Sequence, residues 1–259
     1  MNILISGILG HMGKEVEKLC REGYRGARFA CGVDINAQGT ENNIYPSFAA
    51  IPYDVKIDCI VDFSHHTAIG AVLDFAKERS IPAVIATTGH TESELMAIKS
   101  AAKSIPVFFS ANMSLGVALL VELAKTAAAA MPEAEIEIIE KHHNRKLDAP
   151  SGTALMLANA LCEVRHEATL NLGRSGQGKR TAEEIGIHAI RMGNIVGEHE
   201  VILGTQNQTI TIKHEAHSRA LFAEGALAAA AFIYEKGAGL YDMNSLVGKK
   251  EKSAVGASL

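Results

Sequence analysis

Between positions 140 and 154 the chain reads Glu-Lys-His-His-Asn-Arg-Lys-Leu-Asp-Ala-Pro-Ser-Gly-Thr-Ala. His142, His143, Arg145, Lys146 and Asp148 fall close together there, offering cations and groups that can give up a proton near neutrality. The sequence then opens a helix at Pro150-Ser151-Gly152-Thr153. Proline suits a first helical turn because its missing N–H would find no intrahelical partner there. Gly152 lets a ligand approach the backbone, and the N–H groups of that turn, at the positive end of the helix dipole, make an anion site. Together these features suit a small, multiply anionic molecule that must receive a proton. The same residue types also suit a solvated loop before an ordinary helix start, so the rest of the chain has to decide.

At the N-terminus, Asn2 to Ser6 is a short apolar run followed directly by Gly7-Ile8-Leu9-Gly10-His11-Met12-Gly13. An amphipathic helix comes next, with Val16, Leu19 and Cys20 at core spacing and Lys14, Glu15, Glu17 and Lys18 toward water. Arg28 to Asp34 reads as a second strand ending in an acid. Strand, glycine turn, helix, strand and carboxylate form the layout that binds a dinucleotide, with the pyrophosphate on the helix N-terminus and Asp34 on the adenosine ribose. The spacing is Gly-x-x-Gly-x-x-Gly, so the first glycine is displaced from the usual pattern.

Strands and helices then alternate: a strand over 56–62, a helix over 67–79, a strand over 82–87, a helix from Thr91 with a Thr-Glu-Ser-Glu capping box, and a strand over 106–109. Such alternation predicts an α/β fold with a Rossmann-like doubly wound parallel sheet. Its ligands bind beyond the carboxyl ends of the strands, where Ser64, Thr87-Thr88-Gly89 and Ser110-Ala111-Asn112-Met113 all fall.

After Met113 the pattern changes to a helix over 115–130, a strand over 134–140 that leads into the His142 loop, and a helix from Ser151 to about Val164. Residues 187–191, 199–204 and 208–214 read as antiparallel strands. These make a smaller α+β domain with an open mixed sheet. The strict alternation of Thr209-Ile210-Thr211-Ile212-Lys213 asks for cover on one face, and the expected cover is the same sheet of other subunits. A last helix from Ser218 returns to the first domain. The expected division is 1–112 plus 218–259 for dinucleotide binding and 113–217 for substrate binding and oligomerisation, with a disordered tail from Lys249.

Composition is that of an ordinary globular protein: 259 residues, 47% hydrophobic, formal net charge −4. Nothing in it suggests a nucleic-acid surface, and no apolar run reaches membrane-spanning length. The chain enters a strand at once, which reads as no signal peptide. Four scattered cysteines with no C-x-x-C pair read as reduced thiols rather than a disulfide frame or a metal site, and the expected location is the cytoplasm.

With both halves in view the chain resembles the 4-hydroxy-tetrahydrodipicolinate (dihydrodipicolinate) reductase family of lysine and diaminopimelate biosynthesis. The resemblance covers almost the whole length. It rests chiefly on Glu-x-His-His-x-x-Lys-x-Asp-Ala-Pro-Ser-Gly-Thr-Ala at 140–154. The Gly-x-x-Gly-x-Met-Gly turn at 7–13, Asp62-Phe63-Ser64, Thr87-Thr88-Gly89, residues 111–117, residues 185–191 and Gly197-Glu198-His199 support it. It implies two hinged domains, a homotetramer built through the C-terminal sheets, and an oxidoreductase that moves a nicotinamide hydride to C4 of a small cyclic dicarboxylate, water having left its 4-hydroxy form. A proton goes to the neighbouring ring carbon.

The resemblance further implies His142 as proton donor or acceptor, Lys146 as proton donor, His143 as a substrate contact, and Ser151, Gly152 and Thr153 as the carboxylate site. Gly7, Ile8, Leu9, Gly10, His11, Met12, Asp34, Ala86, Thr87, Thr88, Ser110, Ala111, Asn112 and Met113 would line the cofactor. Lys146 is the favoured donor, with His142 either sharing that role or organising the loop. Two positions depart from the family: Ala86 stands where it usually has glycine, and His11 where it often has arginine. With Ile35 after Asp34 and no obvious cation near that carboxylate, a 2′-phosphate would be repelled, so NADH is expected over NADPH. The alternatives are another two-domain NAD(P)-dependent amino-acid dehydrogenase of the aspartate or homoserine type, which would have no reason to carry 140–154, or a non-catalytic NAD/dicarboxylate sensor.

Overall fold

The computed structural model describes residues 1–248, so the expectation for the tail from Lys249 lies outside them. In chain order the elements are β1 (Asn2–Ser6), α1 (His11–Arg21), β2 (Arg28–Val33), β3 (Ile44–Tyr45), β4 (Cys59–Asp62), α2 (Ile69–Arg79), β5 (Ala83–Ile85), α3 (Glu92–Ala101) and β6 (Pro106–Phe109). There follow α4 (Leu115–Ala130), β7 (Glu135–His142), α5 (Gly152–Cys162), β8 (Thr169–Asn171), β9 (Glu184–Arg191), β10 (Gly197–Gly204) and β11 (Thr209–Ala216). The last three are α6 (Ala220–Ile233), β12 (Gly239–Tyr241) and α7 (Met243–Val247). The chain divides into two compact units, one of residues 1–115 with the described residues from Ala220, the other Gly116–Arg219. The expected boundaries, after 112 and 217, thus lie at 115 and 219.

The first unit is a Rossmann-like α/β layer. Its sheet has seven strands in the order β12-β6-β5-β4-β1-β2-β3, and every pairing is parallel. Central strands buried on both faces need unbroken apolar runs, and Ile3, Leu4, Ile5, Ile60, Val61, Val84 and Ile85 are each fully buried. Helix α1 buries Val16, Leu19 and Cys20, as its spacing requires. Thr91 caps α3, accepting from the Glu94 amide while the Glu94 side chain returns to the Thr91 amide. Cys20, Cys31 and Cys59 are free and buried. Burial pushes the Cys20 and Cys31 thiols up to about 12, with smaller contributions from neighbouring charges.

The second unit carries a five-stranded mixed sheet, β11-β10-β7-β9-β8. Contrary to the antiparallel reading of its later strands, β9 runs parallel to both β7 and β8. Helix α5 lies between β7 and β9 in the chain, and a crossover of that kind returns the next strand in the same direction. Only β10 is antiparallel, to β7 and to β11. Ile212 lies opposite the buried Val201 and packs on this unit's own core, and Ile210, opposite Leu203, is 40% exposed.

Two boundary differences bear on the site. His142 is the last residue of β7 rather than part of the loop, because it pairs in register with Arg191 and its carbonyl accepts from the Met192 amide at 2.9 Å. Pro150 lies before helix α5. Ser151, with extended backbone, is the N-cap and its hydroxyl accepts from the Ala154 amide at 3.2 Å.

Where α6 crosses the Met113 turn, the packing leaves no room for a side chain at Gly225: a Cβ would stand 1.7 Å from the Met113 carbonyl oxygen. Alanine gains about 1 kcal/mol of helix propensity over glycine, but overpacking a buried contact costs about 1–3 kcal/mol. Gly225→Ala is expected to lower the thermal midpoint measured by differential scanning fluorimetry. An unchanged or raised midpoint would contradict this packing.

Candidate active site

In the first unit the glycine turn between β1 and α1 is built by close approach. Gly7 has φ +79, and a Cβ there would stand 2.7 Å from Ser64 Cα. A Cβ on Gly13 would stand 2.2 Å from the Gly7 carbonyl oxygen. Helix α1 starts at Gly10 with no side-chain cap and no acid in its first turn, so its N-terminal amides are left for an anion. Asp34 is buried just past β2. One of its oxygens accepts from the Leu9 amide at 3.1 Å, the other from the Asn36 amide at 3.0 Å and the Asn36 side chain at 3.2 Å. A cavity of about 930 Å³ opens over Gly7, Gly10 and Asp34, and a second of about 400 Å³ over Met12, Ala86, Thr87, Thr88, Ala111 and Met113. Uncapped amides, glycines without room for a Cβ and a ribose-level carboxylate fit a dinucleotide. Ile8 is buried, and Leu9 and His11 are exposed.

Asp62, at the end of β4, is a buried residue not foreseen in any role. It accepts from Ser64 Oγ at 2.5 Å and from Thr87 Oγ1 at 2.6 Å, so the Thr87 hydroxyl is engaged in fastening its own loop. Ser110 acts similarly: its hydroxyl donates to the Asn112 carbonyl at 2.7 Å, and Asn112 Oδ1 accepts from the Ser114 amide at 2.9 Å. Both loops are fixed at the carboxyl ends of β5 and β6 before any ligand arrives.

In the second unit the alternation of β7 points Ile136, Ile138, Glu140 and His142 into the interior. Glu140 is fully buried. Its Oε1 accepts from the Ser151 amide at 2.9 Å and Arg191 Nη2 at 2.6 Å. Its Oε2 lies 2.6 Å from His142 Nδ1 and 2.8 Å from Arg191 Nη1. Burial pushes the carboxyl pKa up, but the hydrogen bonds from Arg191, His142 and Ser151 outweigh it and the net shift is downward. Arg191 also donates to the Asp148 carbonyl at 2.7 Å, tying the loop back to β9. His199, buried on β10, has Nε2 3.0 Å from Ser151 Oγ and its ring edge-to-face with His142 at 5.2 Å.

The loop itself holds the sequence-predicted residues in one place. His143 is half-buried, and desolvation, then the charges of Arg145 and Arg219, hold its pKa below the ordinary value. Lys146 Nζ pairs with Asp148 at 2.8 Å, and the Lys146 amide donates to the His143 carbonyl at 3.2 Å. Gly152 is exposed at the start of α5, and a Cβ there would meet nothing within 4 Å. Thr153 follows it, half-buried. Imidazole, ammonium, guanidinium and helix amides close together are groups that can donate to a carboxylate and give up a proton. Among the described residues no cluster could hold a metal ion, and no helix is long and apolar enough to cross a membrane.

Residues 1–113 match the family model described as dihydrodipicolinate reductase, N-terminus, and residues 116–247 the one described as its C-terminus. The chain belongs to the dihydrodipicolinate reductase family. It is 45% identical over 251 residues to the 4-hydroxy-tetrahydrodipicolinate reductase of Caldanaerobacter subterraneus, covering 96% of this chain and 99% of that one. It is 42% identical to the Clostridium novyi reductase, over 96% and 98%. A dipicolinate-bound dihydrodipicolinate reductase from Paenisporosarcina sp. TG-14 superposes with a TM-score of 0.80 at 22% identity, over 95% and 99% of the two chains, and shares the fold.

In this member of the dihydrodipicolinate reductase family, the sequence marks Arg191 and His199 only as parts of matching segments, and Glu140 only as the head of the motif. Their inward positions on β9, β10 and β7 are the available signal. Burial, then the charge of His142, pushes the His199 pKa down to about 4. The folded value lies below the ordinary 6.5, so the unfolded chain binds the proton first and stability falls as pH drops from 6.5 toward 4. The loss reaches about 3 kcal/mol by pH 4. Urea unfolding at pH 7 and pH 4 should show this loss in the natural protein and a loss smaller by about that amount in His199→Gln. Equal pH slopes in the two would contradict a buried neutral imidazole.

Proposed function

We propose that the chain reduces 4-hydroxy-tetrahydrodipicolinate to tetrahydrodipicolinate with a reduced nicotinamide dinucleotide, in lysine and diaminopimelate biosynthesis. One observation carries this reading: in a chain 45% identical to a reductase of that name, buried Glu140 gathers His142, Arg191 and the Ser151 amide and so holds the end of β7, the following loop and the start of α5 together. The dinucleotide supplies the hydride when bound. Gly7 to Met12, Asp34, Ala86 to Thr88 and Ser110 to Met113 would hold it. His143, Gly152 and Thr153 would take the substrate carboxylate, within the cationic surroundings that help keep His143 neutral. Ser151, expected beside them, is buried with its amide on Glu140 and its hydroxyl between the Ala154 amide and His199, so it holds the loop instead.

Lys146 is the proton donor in this reading. Its ammonium side chain is 23% exposed at the loop surface. His142, at 8% exposure, is nearly enclosed and committed through Nδ1 to Glu140, which suits an organising role. Protonation of the ring carbon from the loop therefore falls to the lysine, with Asp148 at 2.8 Å orienting it.

NADH is the proposed cofactor over NADPH. Both Asp34 oxygens are engaged by neutral donors, and Ile35 beside it is 87% exposed. Arg79, which lines the same cavity, holds its guanidinium over the Tyr53 ring at 4.2 Å and donates to the Tyr53 and Pro52 carbonyls. A 2′-phosphate at Asp34 would meet a carboxylate without a compensating cation.

We further propose a cytoplasmic homotetramer joined through the sheets of the second unit. The support for the assembly is the face of β7, β9 and β10 opposite α5, where Ile139, Ile190 and Ile202 sit beside the Lys141–Glu198 and His188–Glu137 pairs at 3.0 Å. The buried free thiols suit a reducing compartment.

A coupled assay with freshly generated 4-hydroxy-tetrahydrodipicolinate, following loss of nicotinamide absorbance, tests the reaction. The natural protein should turn over, with kcat/KM at least about tenfold higher for NADH, and Lys146→Ala should lose about 100-fold or more in kcat. A tenfold preference for NADPH would overturn the cofactor reading, and full turnover by Lys146→Ala would overturn the donor.

A further inference from the structure

The contacts that Arg191 and Ser151 make with Glu140 decide where the proton sits on His142. A carboxylate is acceptor-only, with about four lone-pair sites on its two oxygens. Arg191 occupies two of them with Nη1 and Nη2, at 2.8 and 2.6 Å, and both nitrogens can only donate. The Ser151 amide, at 2.9 Å, can also only donate. The remaining partner, His142 Nδ1 at 2.6 Å from Oε2, faces an oxygen that has nothing to give. A bare Nδ1 there would set two lone pairs against each other in a site with no exposure.

We infer that Glu140 is a positioning residue that fixes His142 with its proton on Nδ1, so that any exchange of a proton or hydrogen bond with a ligand runs through Nε2. The rest of the pocket agrees. A Cβ on Gly197 would stand 3.1 Å from His142 Nε2, and glycine at that position keeps the Nε2 edge clear. His199, the next ring, has its Nε2 3.0 Å from Ser151 Oγ, and that hydroxyl already accepts from the Ala154 amide at 3.2 Å. A neutral His199 places no cation against His142.

The same count says why a glutamine cannot do the work of Glu140. Its side chain would offer one acceptor oxygen and an NH2 group to the same donors, so at least one of Arg191, Ser151 and His142 would meet another donor across a hydrogen-bond distance. His142 is the one able to respond, by moving its proton to Nε2 and accepting on Nδ1. With its NH2 group at the Oε2 position, Glu140→Gln moves the His142 proton to Nε2, while one Arg191 nitrogen meets a donor in either orientation.

The kinetic consequence rests on the reductase reading, whereas the tautomer does not. The test is a long-range 1H–15N correlation spectrum of the imidazole rings, assigned through His142→Asn, on the ligand-free protein and on Glu140→Gln. His142 Nδ1 is expected to be protonated in the natural protein and to lose that signature in Glu140→Gln. The variant's kcat is expected to fall about 100-fold while its nucleotide Kd stays within about twofold. A bare Nδ1 in the natural protein overturns the inference, and that single spectrum decides even if the variant fails to fold. An unchanged tautomer and kcat in a folded Glu140→Gln also overturns it. Absence of turnover in the natural protein would instead sink the reductase reading, leaving the spectra to judge this one.

Discussion

Burying an ionised carboxylate costs several kcal/mol unless its hydrogen-bonding capacity is filled, and Glu140 has no exposure at all. Four donors from three elements fill it: Arg191 twice from β9, His142 from β7 itself, and the Ser151 amide from the cap of α5. Removing any of them would leave a buried charge partly unpaired. The sheet register, the path of the 143–150 loop and the start of α5 are thus mutually dependent. What the loop then presents outward, His143, Lys146 and Gly152, is set by what Glu140 holds inward.

The first unit solves a different problem with different means. A dinucleotide needs backbone at close range, and Gly7 and Gly13 supply it by allowing contacts that any Cβ would block. Its polar loops are fastened from within, by Asp62 under Ser64 and Thr87 and by the Ser110–Asn112 turn. Such internal fastening keeps the amides in place without a ligand, so less ordering entropy is lost when one binds.

Much of this is legible in the residues because it is local. The α1 core stripe, the Thr91 capping box and the full extent of α4 are carried by spacing within a few positions. The end of β7 is hidden because the inward positions after Ile138 are occupied by Glu140 and His142, so the alternation continues in polar residues and looks like a loop. The direction of β9 is hidden because alternation reports which face is buried, not which way a strand runs. Arg191 lies 51 positions from Glu140, and His199 lies 48 from Ser151. Partnerships of that range arise only when the sheet assembles. Strands β3, β8 and β12, of two or three residues, are too short to carry a period of their own.

If the Glu140 carboxylate holds the 142–153 segment in place before any ligand binds, the most direct measurement is hydrogen exchange at the Ser151 amide in the ligand-free protein. That amide should be protected to the level of the β7 core amides, because it is buried against Glu140 Oε1 at 2.9 Å. Exchange as fast as at the neighbouring exposed loop amides of Leu147 and Asp148 would contradict the account.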